Sequence, residues 1–160
     1  MKIKTGDVLF VEGSKWNPIS WLIKFVSGGK FSHVAICIAD DLILETEYSI
    51  RSRVIDVNKT KYLSKRKHEI VHVNFTKKQL DDLDLYILQY IGKKYDFGLI
   101  LKMFLKYVLR IPIWNKDDDE YICSELVAEL LLDLGAIDNE KTVNMSPNEL
   151  YEYLRRVKNK

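Results

Sequence analysis

Residues 31–47 read FSHVAICIADDLILETE and contain the strongest signal for the fold of this chain. The first part of this stretch is apolar and contains several β-branched side chains, which indicates a buried strand over Phe31–Ala39. Asp40 and Asp41 indicate a turn, and a second strand follows over Leu42–Glu47. The stretch therefore predicts an antiparallel hairpin in which the second strand runs back along the first.

Other strands and helices are predicted on both sides of this hairpin. Before it, a short strand is expected over residues 8–11, and Pro18 begins a helix that ends at Ser27-Gly28-Gly29. After it, strands are expected over residues 53–57 and 70–75. Four helices follow, over residues 77–91 (after a capping box at Thr76), 96–110 and 121–134, and after Ser146-Pro147. This order predicts an α+β domain with an antiparallel sheet.

The composition is that of an ordinary globular protein. Of the 160 residues, 47% are hydrophobic and 30% are charged, which excludes a disordered chain and predicts one domain over residues 1–160. The 25 Lys and Arg residues nearly balance the 23 Asp and Glu residues, so the charge does not indicate nucleic-acid binding. Two cysteines cannot build a disulfide scaffold, and residues 1–7 lack the apolar segment of a signal peptide. We therefore expect a cytoplasmic protein with reduced thiols.

Cys123 is the candidate nucleophile. It lies in the sequence YICSELV, residues 121–127, at the start of a predicted helix. The N-terminus of a helix carries a partial positive charge and unpaired N–H groups, which favour a thiolate and could hold the oxyanion of an acyl-transfer intermediate. The acidic residues 117–120 have the opposite effect, since nearby negative charges disfavour a thiolate. The alternative interpretation is a core cysteine on an apolar helix, which is common in proteins.

His33 is the candidate base for this nucleophile. It is a polar ring at the head of an apolar strand, and such a position needs a physical reason. The neighbouring strand contains Glu45 and Glu47, and either carboxylate could fix the tautomer of the imidazole. The alternative is a half-exposed histidine at the edge of the sheet.

The length of the hairpin loop decides whether His33 and Glu45 share a face of the sheet. We expect an odd loop of three residues, which pairs Ile38 with Leu42 and Ala35 with Glu45. Glu45 then lies diagonal to His33, within reach of its ring. A loop of two residues would place both glutamates on the opposite face and would exclude a triad.

Several short segments, some of them quoted above, resemble a known family. In chain order they are GDVLF (6–10), SHVAI (32–36), ILE (43–45), Gly92 with YDF (95–97), YICSEL (121–126) and SPNEL (146–150). In order and spacing they resemble the circularly permuted branch of the NlpC/P60 (papain-like) superfamily, the YiiX-like amidase group. The resemblance spans nearly the whole chain.

This resemblance implies a permuted papain-like fold, with an antiparallel sheet or small barrel packed against helices. It implies Cys123 as nucleophile, His33 as base and Glu45 as the third polar residue, and it favours Glu45 over Glu47. The implied activity is that of a cysteine-dependent amidase, peptidase or acyltransferase that forms an acyl-enzyme on an amide or ester carbonyl. Two residues beside the nucleophile are candidates for lining the oxyanion site or positioning substrate: Tyr121 and Ser124.

A second motif, His68-Glu69-Ile70-Val71-His72, matches the His-Glu-x-x-His pattern of zinc proteases. That chemistry needs a helix, whereas the β-branched residues favour a strand. On a strand His68 and His72 would lie about 13 Å apart, too far for one ion. A zinc metalloprotease is therefore the less favoured alternative, and no metal or cofactor is expected. Cys37 is interpreted as a small buried residue of its strand.

Two further stretches bear on partners. Residues 51–67 carry seven basic side chains against one acidic one, which indicates a solvated loop, with an anionic membrane surface as the alternative partner. Residues 97–109 predict a core helix with one basic stripe, and the alternative is a groove for an acyl chain. The expected partner is a small-molecule, peptide or lipid-amide substrate. The alternative function is a non-catalytic lipid- or peptide-binding domain with the same fold.

Overall fold

A five-stranded antiparallel sheet forms the centre of the structure, a computed structural model that describes residues 2–13, 18–47, 50–60, 65–95 and 120–158. Its strands are β1 (Asp7–Glu12), β2 (Phe31–Ala39), β3 (Leu42–Glu47), β4 (Ile50–Asp56) and β5 (His68–His72). They lie side by side in the order β4-β3-β2-β1-β5, so the sheet is open and not a closed barrel in the described part of the chain. The predicted hairpin supplies the central strand, β2, in which eight of nine residues are buried.

The pairing of β2 with β3 has the register that the sequence predicts at Glu45, but a different turn produces it. Ala35 lies opposite Glu45, as expected. The expected three-residue loop and the pairing of Ile38 with Leu42 are wrong. β2 extends to Ala39, which itself pairs with Leu42, and only two residues remain for the loop.

A β-bulge compensates for this short loop. The register shifts in β2 between Cys37 and Ala39, so β2 carries one residue more than β3 at this point. Because side chains alternate between the two faces of a strand, the extra residue cancels the change of face that an even loop would cause. Asp41, in the loop, has a φ of 58°, a left-handed conformation that aspartate tolerates. His33 and Glu45 therefore share one face of the sheet.

Four helices are described: α1 (Pro18–Ser27), α2 (Lys77–Tyr90), α3 (Cys123–Asp133) and α4 (Pro147–Lys158). The start of α1 at Pro18 is as predicted. The capping box of α2 is confirmed, since the Thr76 side chain accepts from the N–H of Gln79 at 3.3 Å and the Gln79 side chain accepts from the N–H of Thr76 at 2.8 Å. The predicted helix over residues 96–110 lies outside the described residues. Within the described ranges, no helix combines the length and apolar character needed to cross a bilayer.

Several predicted boundaries shift, and backbone pairing or a local hydrogen bond explains three of these shifts. The third helix begins at Cys123 and not at residue 121, because β7 (Glu120–Tyr121) pairs in parallel with β6 (Lys94–Tyr95). The strand expected over residues 70–75 ends at His72, which lies opposite the first residue of β1. The strand expected over residues 53–57 ends at Asp56, whose carboxylate accepts from the N–H of residue 58 at 2.8 Å and starts a short 3-10 turn.

The sheet lies between two hydrophobic clusters. The larger one joins the buried sides of α2, α3 and α4 to strand residues that include Val34 and Ile36. The smaller one includes Leu9, Ala35 and Cys37. Successive residues of β2 thus enter different clusters, as the alternation of side chains along a strand requires. This two-sided burial explains why the whole of β2 is apolar except at its start.

Candidate active site

Cys123 is the first residue of α3 and has 3% of its surface exposed. Ile122 before it is extended, with φ −87° and ψ 160°, so the chain changes from strand to helix at the cysteine. The first backbone hydrogen bond of the helix joins the N–H of Leu126 to the carbonyl of Ile122 at 3.0 Å. The N–H groups of the first helical turn therefore lie at the end of the helix that carries the thiol.

His33 lies near the start of β2 and has 6% of its surface exposed. Two side-chain contacts hold the strand at this point. The hydroxyl of Ser20 in α1 donates to the hydroxyl of Ser32 at 2.7 Å. The amide of Asn148 in α4 bonds both the N–H and the carbonyl of Phe31, each at 3.0 Å. Two helices thus fix the strand next to the imidazole.

The imidazole of His33 contacts both other members of the expected constellation. Its Nε2 lies 3.2 Å from Oε2 of Glu45, a fully buried residue of β3. The ring is also hydrogen-bonded to Cys123. The structure therefore brings Cys123, His33 and Glu45 together from three separate elements.

The protonation of His33 follows from these contacts. Burial lowers the pKa of the ring, but the hydrogen bonds to Cys123 and Glu45 and their negative charges raise it, with the net result of a pKa of about 10. A ring with this pKa carries a proton at neutral pH. The hydrogen bonds of the ring to Cys123 and Glu45 therefore favour the imidazolium over the neutral imidazole.

A fourth residue, Arg53 in β4, completes the constellation. Its Nε and Nη2 donate to Oε1 of Glu45 at 3.1 and 2.9 Å, so that each carboxylate oxygen has its own cationic partner. In the sequence, Arg53 is recognisable only as part of a basic stretch. The signal that could have found it is the direct pairing of Glu45 with Arg53 across β3 and β4. That register includes an irregularity between Glu45 and Glu47, which local sequence rules do not predict.

The remaining predicted site residues lie close to α3 or at the end of β3. Ser124 is fully buried, and its hydroxyl has no hydrogen-bond partner among the described residues. The backbone of Tyr121 belongs to β7, while its side chain lies outside the described part of the structure, as does that of Glu47. Glu125, which was not predicted as a site residue, has 1% of its surface exposed and accepts from the N–H of Ile122 at 3.4 Å.

Cys37 has a different environment from Cys123. It is fully buried in the smaller hydrophobic cluster, and its thiol donates to the carbonyl of Ala39 at 2.9 Å. Burial, together with the negative charge of Asp7, raises the pKa of Cys37 to about 12. This thiol is therefore protonated at neutral pH, which agrees with the interpretation of Cys37 as a small buried residue.

The zinc-protease motif does not have the geometry of a zinc site. Residues 68–72 form β5 and not a helix, so the two histidines are separated along an extended strand. His72 Nδ1 bonds the carboxylate of Asp7 at 2.8 Å, and His68 Nδ1 lies 3.1 Å from the carbonyl of Arg66. Over the described ranges, no three His, Cys, Asp or Glu side chains are grouped in a way that could hold a metal ion.

Comparisons with known proteins give a similarity of fold. No family model and no curated protein matches the sequence. Among solved structures, the chain is similar to the crystal structure of the metalloprotein YiiX from Escherichia coli O157:H7 (DUF1105), with a TM-score of 0.59. The two sequences are 18% identical, and the match covers 84% of this chain and 67% of that one. The α+β architecture, an antiparallel sheet packed against helices, is thus shared with a protein of the group that the sequence resembles.

The metal implied by the name of that structure does not fit the described residues here. His33 already bonds Glu45 and Cys123, and the second oxygen of Glu45 accepts from Arg53. A guanidinium beside this carboxylate opposes the binding of a cation at the same oxygens. No step of the chemistry considered below therefore involves a metal.

Proposed function

We propose that this chain is a cysteine-dependent hydrolase or acyltransferase that acts on an amide or ester carbonyl through an acyl-enzyme. The observation that carries the proposal is the buried chain of contacts from Cys123 through His33 to Glu45. A buried histidine with a thiol on one side and a carboxylate on the other has the parts of a nucleophile, a base and an orienting group. Cys37 lacks this environment and serves as an internal comparison.

In the proposed reaction, Cys123 attacks as a thiolate and His33 holds the proton. The sulfur forms a bond to the carbonyl carbon, and the carbonyl oxygen becomes an oxyanion near the N–H groups of the first turn of α3. His33 then gives its proton to the leaving amine or alcohol as the bond from carbon to nitrogen or oxygen breaks. Glu45 holds the ring in the orientation that both transfers need.

The acyl group is released by the reverse sequence of proton transfers. His33 takes a proton from an acceptor, which attacks the thioester and returns the sulfur as a thiolate. Water gives hydrolysis and an amine or alcohol gives acyl transfer. We propose Ser124 as a substrate-positioning residue, since it follows the nucleophile in the chain and its buried hydroxyl has no hydrogen-bond partner among the described residues.

We further propose that the fold is a circularly permuted papain-like fold. In the papain-like order the cysteine precedes the histidine, whereas here His33 and Glu45 precede Cys123. Such a triad is defined by its geometry and not by its order along the chain. The resemblance of the segments around all three residues to the YiiX-like amidase group supports this assignment, as does the similarity of fold to YiiX.

Mass spectrometry of the intact protein tests the proposed activity. Wild-type protein mixed with libraries of amides and activated esters is expected to gain one acyl group on Cys123. The Cys123→Ala variant is expected to form no adduct, and the matched Cys37→Ala variant is expected to form it at the wild-type rate. Replacing His33 with Gln is expected to slow adduct formation by about 10²–10⁴-fold, the usual contribution of a general acid–base.

Two results would contradict this function. One is the absence of any acyl adduct on wild-type Cys123 across the libraries, which would favour a non-catalytic binding domain. The other is a Cys123 that reacts no faster than Cys37 with a small electrophile at neutral pH. Adding a primary amine to a reaction that does form the adduct separates transfer from hydrolysis, because transfer yields the new amide as product.

A further inference from the structure

Each oxygen of the buried Glu45 carboxylate has a separate partner. Oε2 faces the ring of His33 at 3.2 Å, and Oε1 accepts two N–H groups of Arg53 at 3.1 and 2.9 Å. We propose that Arg53 is a positioning residue that keeps Glu45 ionised and turned toward His33, and thereby sets the reactivity of the Cys123 thiolate. This inference rests on the proposed function and adds to it a fourth member from β4.

The position of Arg53 is fixed by its own strand. Arg53 lies directly opposite Glu45 in the pairing of β3 with β4. Its neighbour Ser52 anchors β4 to the segment after α2. The N–H of Ser52 donates to the carbonyl of Lys93 at 2.8 Å, and the N–H of Gly92 donates to the carbonyl of Ser52 at 2.8 Å. The N–H of Lys93 also donates to the hydroxyl of Ser52 at 2.8 Å. These hydrogen bonds hold the backbone of β4 in place next to Arg53.

The physical need for a cation at this point comes from burial. Glu45 has no exposed surface, and a buried carboxylate without adequate partners takes up a proton and becomes neutral. Arginine stays charged at all ordinary pH values and offers paired donors with the geometry of a carboxylate. The Arg53 side chain is 38% exposed, so its charge is partly solvated while its N–H groups reach a buried anion. Arg53 thus stabilises the charged form of Glu45.

The effect of removing Arg53 on Cys123 follows from the charges around His33. The ring is held between Glu45 of β3 and Cys123 of α3, and Arg53 of β4 acts on it through Glu45. Without the guanidinium, the buried carboxylate of Glu45 loses its paired donors, so its charged form becomes less stable and stabilises the imidazolium less. A less stable imidazolium means fewer molecules with a thiolate at Cys123. The pH dependence of thiol alkylation should therefore move upward.

The test measures the rate of Cys123 alkylation by iodoacetamide against pH, followed by peptide mass spectrometry. Arg53→Met is expected to raise the midpoint of the profile by about one pH unit, which lowers the rate below that midpoint about tenfold. Arg53→Lys keeps the charge but not the paired donors, and is expected to give a smaller upward shift. The matched control is Arg51→Met on the same strand, an exposed residue that donates to the carbonyl of Gly92. It is expected to leave the profile unchanged.

A double-mutant cycle shows whether Arg53 acts through Glu45. Glu45→Gln alone is expected to raise the midpoint, and Arg53→Met added to it is expected to have no further effect. Full additivity of the two shifts would overturn the inference, as would an unshifted profile in both Arg53 variants. A shift of the same size in Arg51→Met would overturn it too. If Arg53→Met does not fold by circular dichroism, the profile of Arg53→Lys decides, and an unshifted profile refutes the inference.

The same experiment separates this inference from the proposed function. If wild-type Cys123 reacts no faster than Cys37, the proposed function fails. If wild-type Cys123 is reactive and the Arg53 variants keep its profile, only the role of Arg53 fails. If the profile shifts as expected but no acyl adduct forms with any amide or ester, Arg53 has the proposed positioning role and the enzyme assignment fails.

Discussion

At position 33, a histidine is buried between two groups that favour its charged form. Burial alone lowers the pKa of an imidazole, and here it is outweighed by the hydrogen bonds and charges of Cys123 and Glu45. The resulting pKa of about 10 means that the imidazolium is present at neutral pH and is lost only as the pH rises through about 10. A histidine that is charged in this way is already prepared to deliver a proton to a leaving group.

Replacement of Glu45 by Gln tests this account of His33. The substitution removes one hydrogen-bonded anion from the ring, so the pKa of His33 is expected to fall below its wild-type value of about 10. At pH 8 to 9 a larger fraction of the ring should then be neutral in the variant than in the wild type. Titration of the imidazole resonances by NMR measures this directly, with His68 and His72 in the same sample as references. An unchanged titration of His33 in the variant would show that Glu45 does not control the ring.

At the level of elements, the start of β2 is held by α4. The side chain of Asn148 bonds both backbone polar groups of Phe31, two residues before His33. This approach is close, since a Cβ at Gly29 would lie 2.2 Å from side-chain atoms of Asn148. Asn148 can occupy this position because residue 29 has no side chain, and its hydrogen bonds to Phe31 hold the first residue of β2.

Asn148→Ala is expected to lower the free energy of unfolding by about 1–3 kcal/mol, since two hydrogen bonds to the backbone of Phe31 are lost. It should also slow acylation of Cys123, because His33 lies two residues further along the same strand. Urea unfolding followed by circular dichroism measures the stability, and the exposed Asn144 provides a matched control as Asn144→Ala.

The dependence of position 29 on position 148 can be measured separately. Gly29→Ala is expected to destabilise the protein because the new methyl group overlaps Asn148. In the Asn148→Ala background the same substitution should cost less, so the double variant should be more stable than the sum of the two single effects indicates. Strict additivity would mean that Gly29 does not make room for Asn148.

At the level of the whole molecule, α3 combines the proposed nucleophile with the centre of the larger hydrophobic cluster. Cys123 begins the helix, and the fully buried Leu126, Leu130 and Leu131 pack it against the sheet and against α2 and α4. The position of the thiol relative to His33 is thus set by the packing of the core. Damage to this cluster should affect stability and the site together.

Leu130→Ala is expected to lower the free energy of unfolding by about 2–5 kcal/mol, through lost burial and the cavity that remains. The matched control is Leu88→Ala in α2, where the side chain is 70% exposed and the cost should stay within about 0.5 kcal/mol. Urea denaturation monitored by far-ultraviolet circular dichroism compares the two variants. Equal costs for both substitutions would contradict the placement of Leu130 in the core.

Features that depend only on neighbouring residues could be predicted from the sequence. The strands over Phe31–Ala39 and Leu42–Glu47 follow from apolar and β-branched runs separated by two aspartates. The starts of α1 and α2 follow from a proline and a capping box, whose hydrogen bonds span only a few residues. The candidate nucleophile and base could also be named, because a cysteine at a helix start and a histidine at the head of a buried strand are local patterns.

The tertiary structure alone decided how these parts meet. The bulge before Ala39 determines which face of the sheet Glu45 occupies. Local rules correctly predicted the pairing of Glu45 with Ala35, but they predicted a loop of three residues where the structure has two. The bonds from Arg53 to Glu45 and from Asn148 to Phe31 join residues on different strands and helices. Such contacts depend on strand register and helix packing, which arise when the whole chain folds around a common core and which no short stretch of sequence specifies.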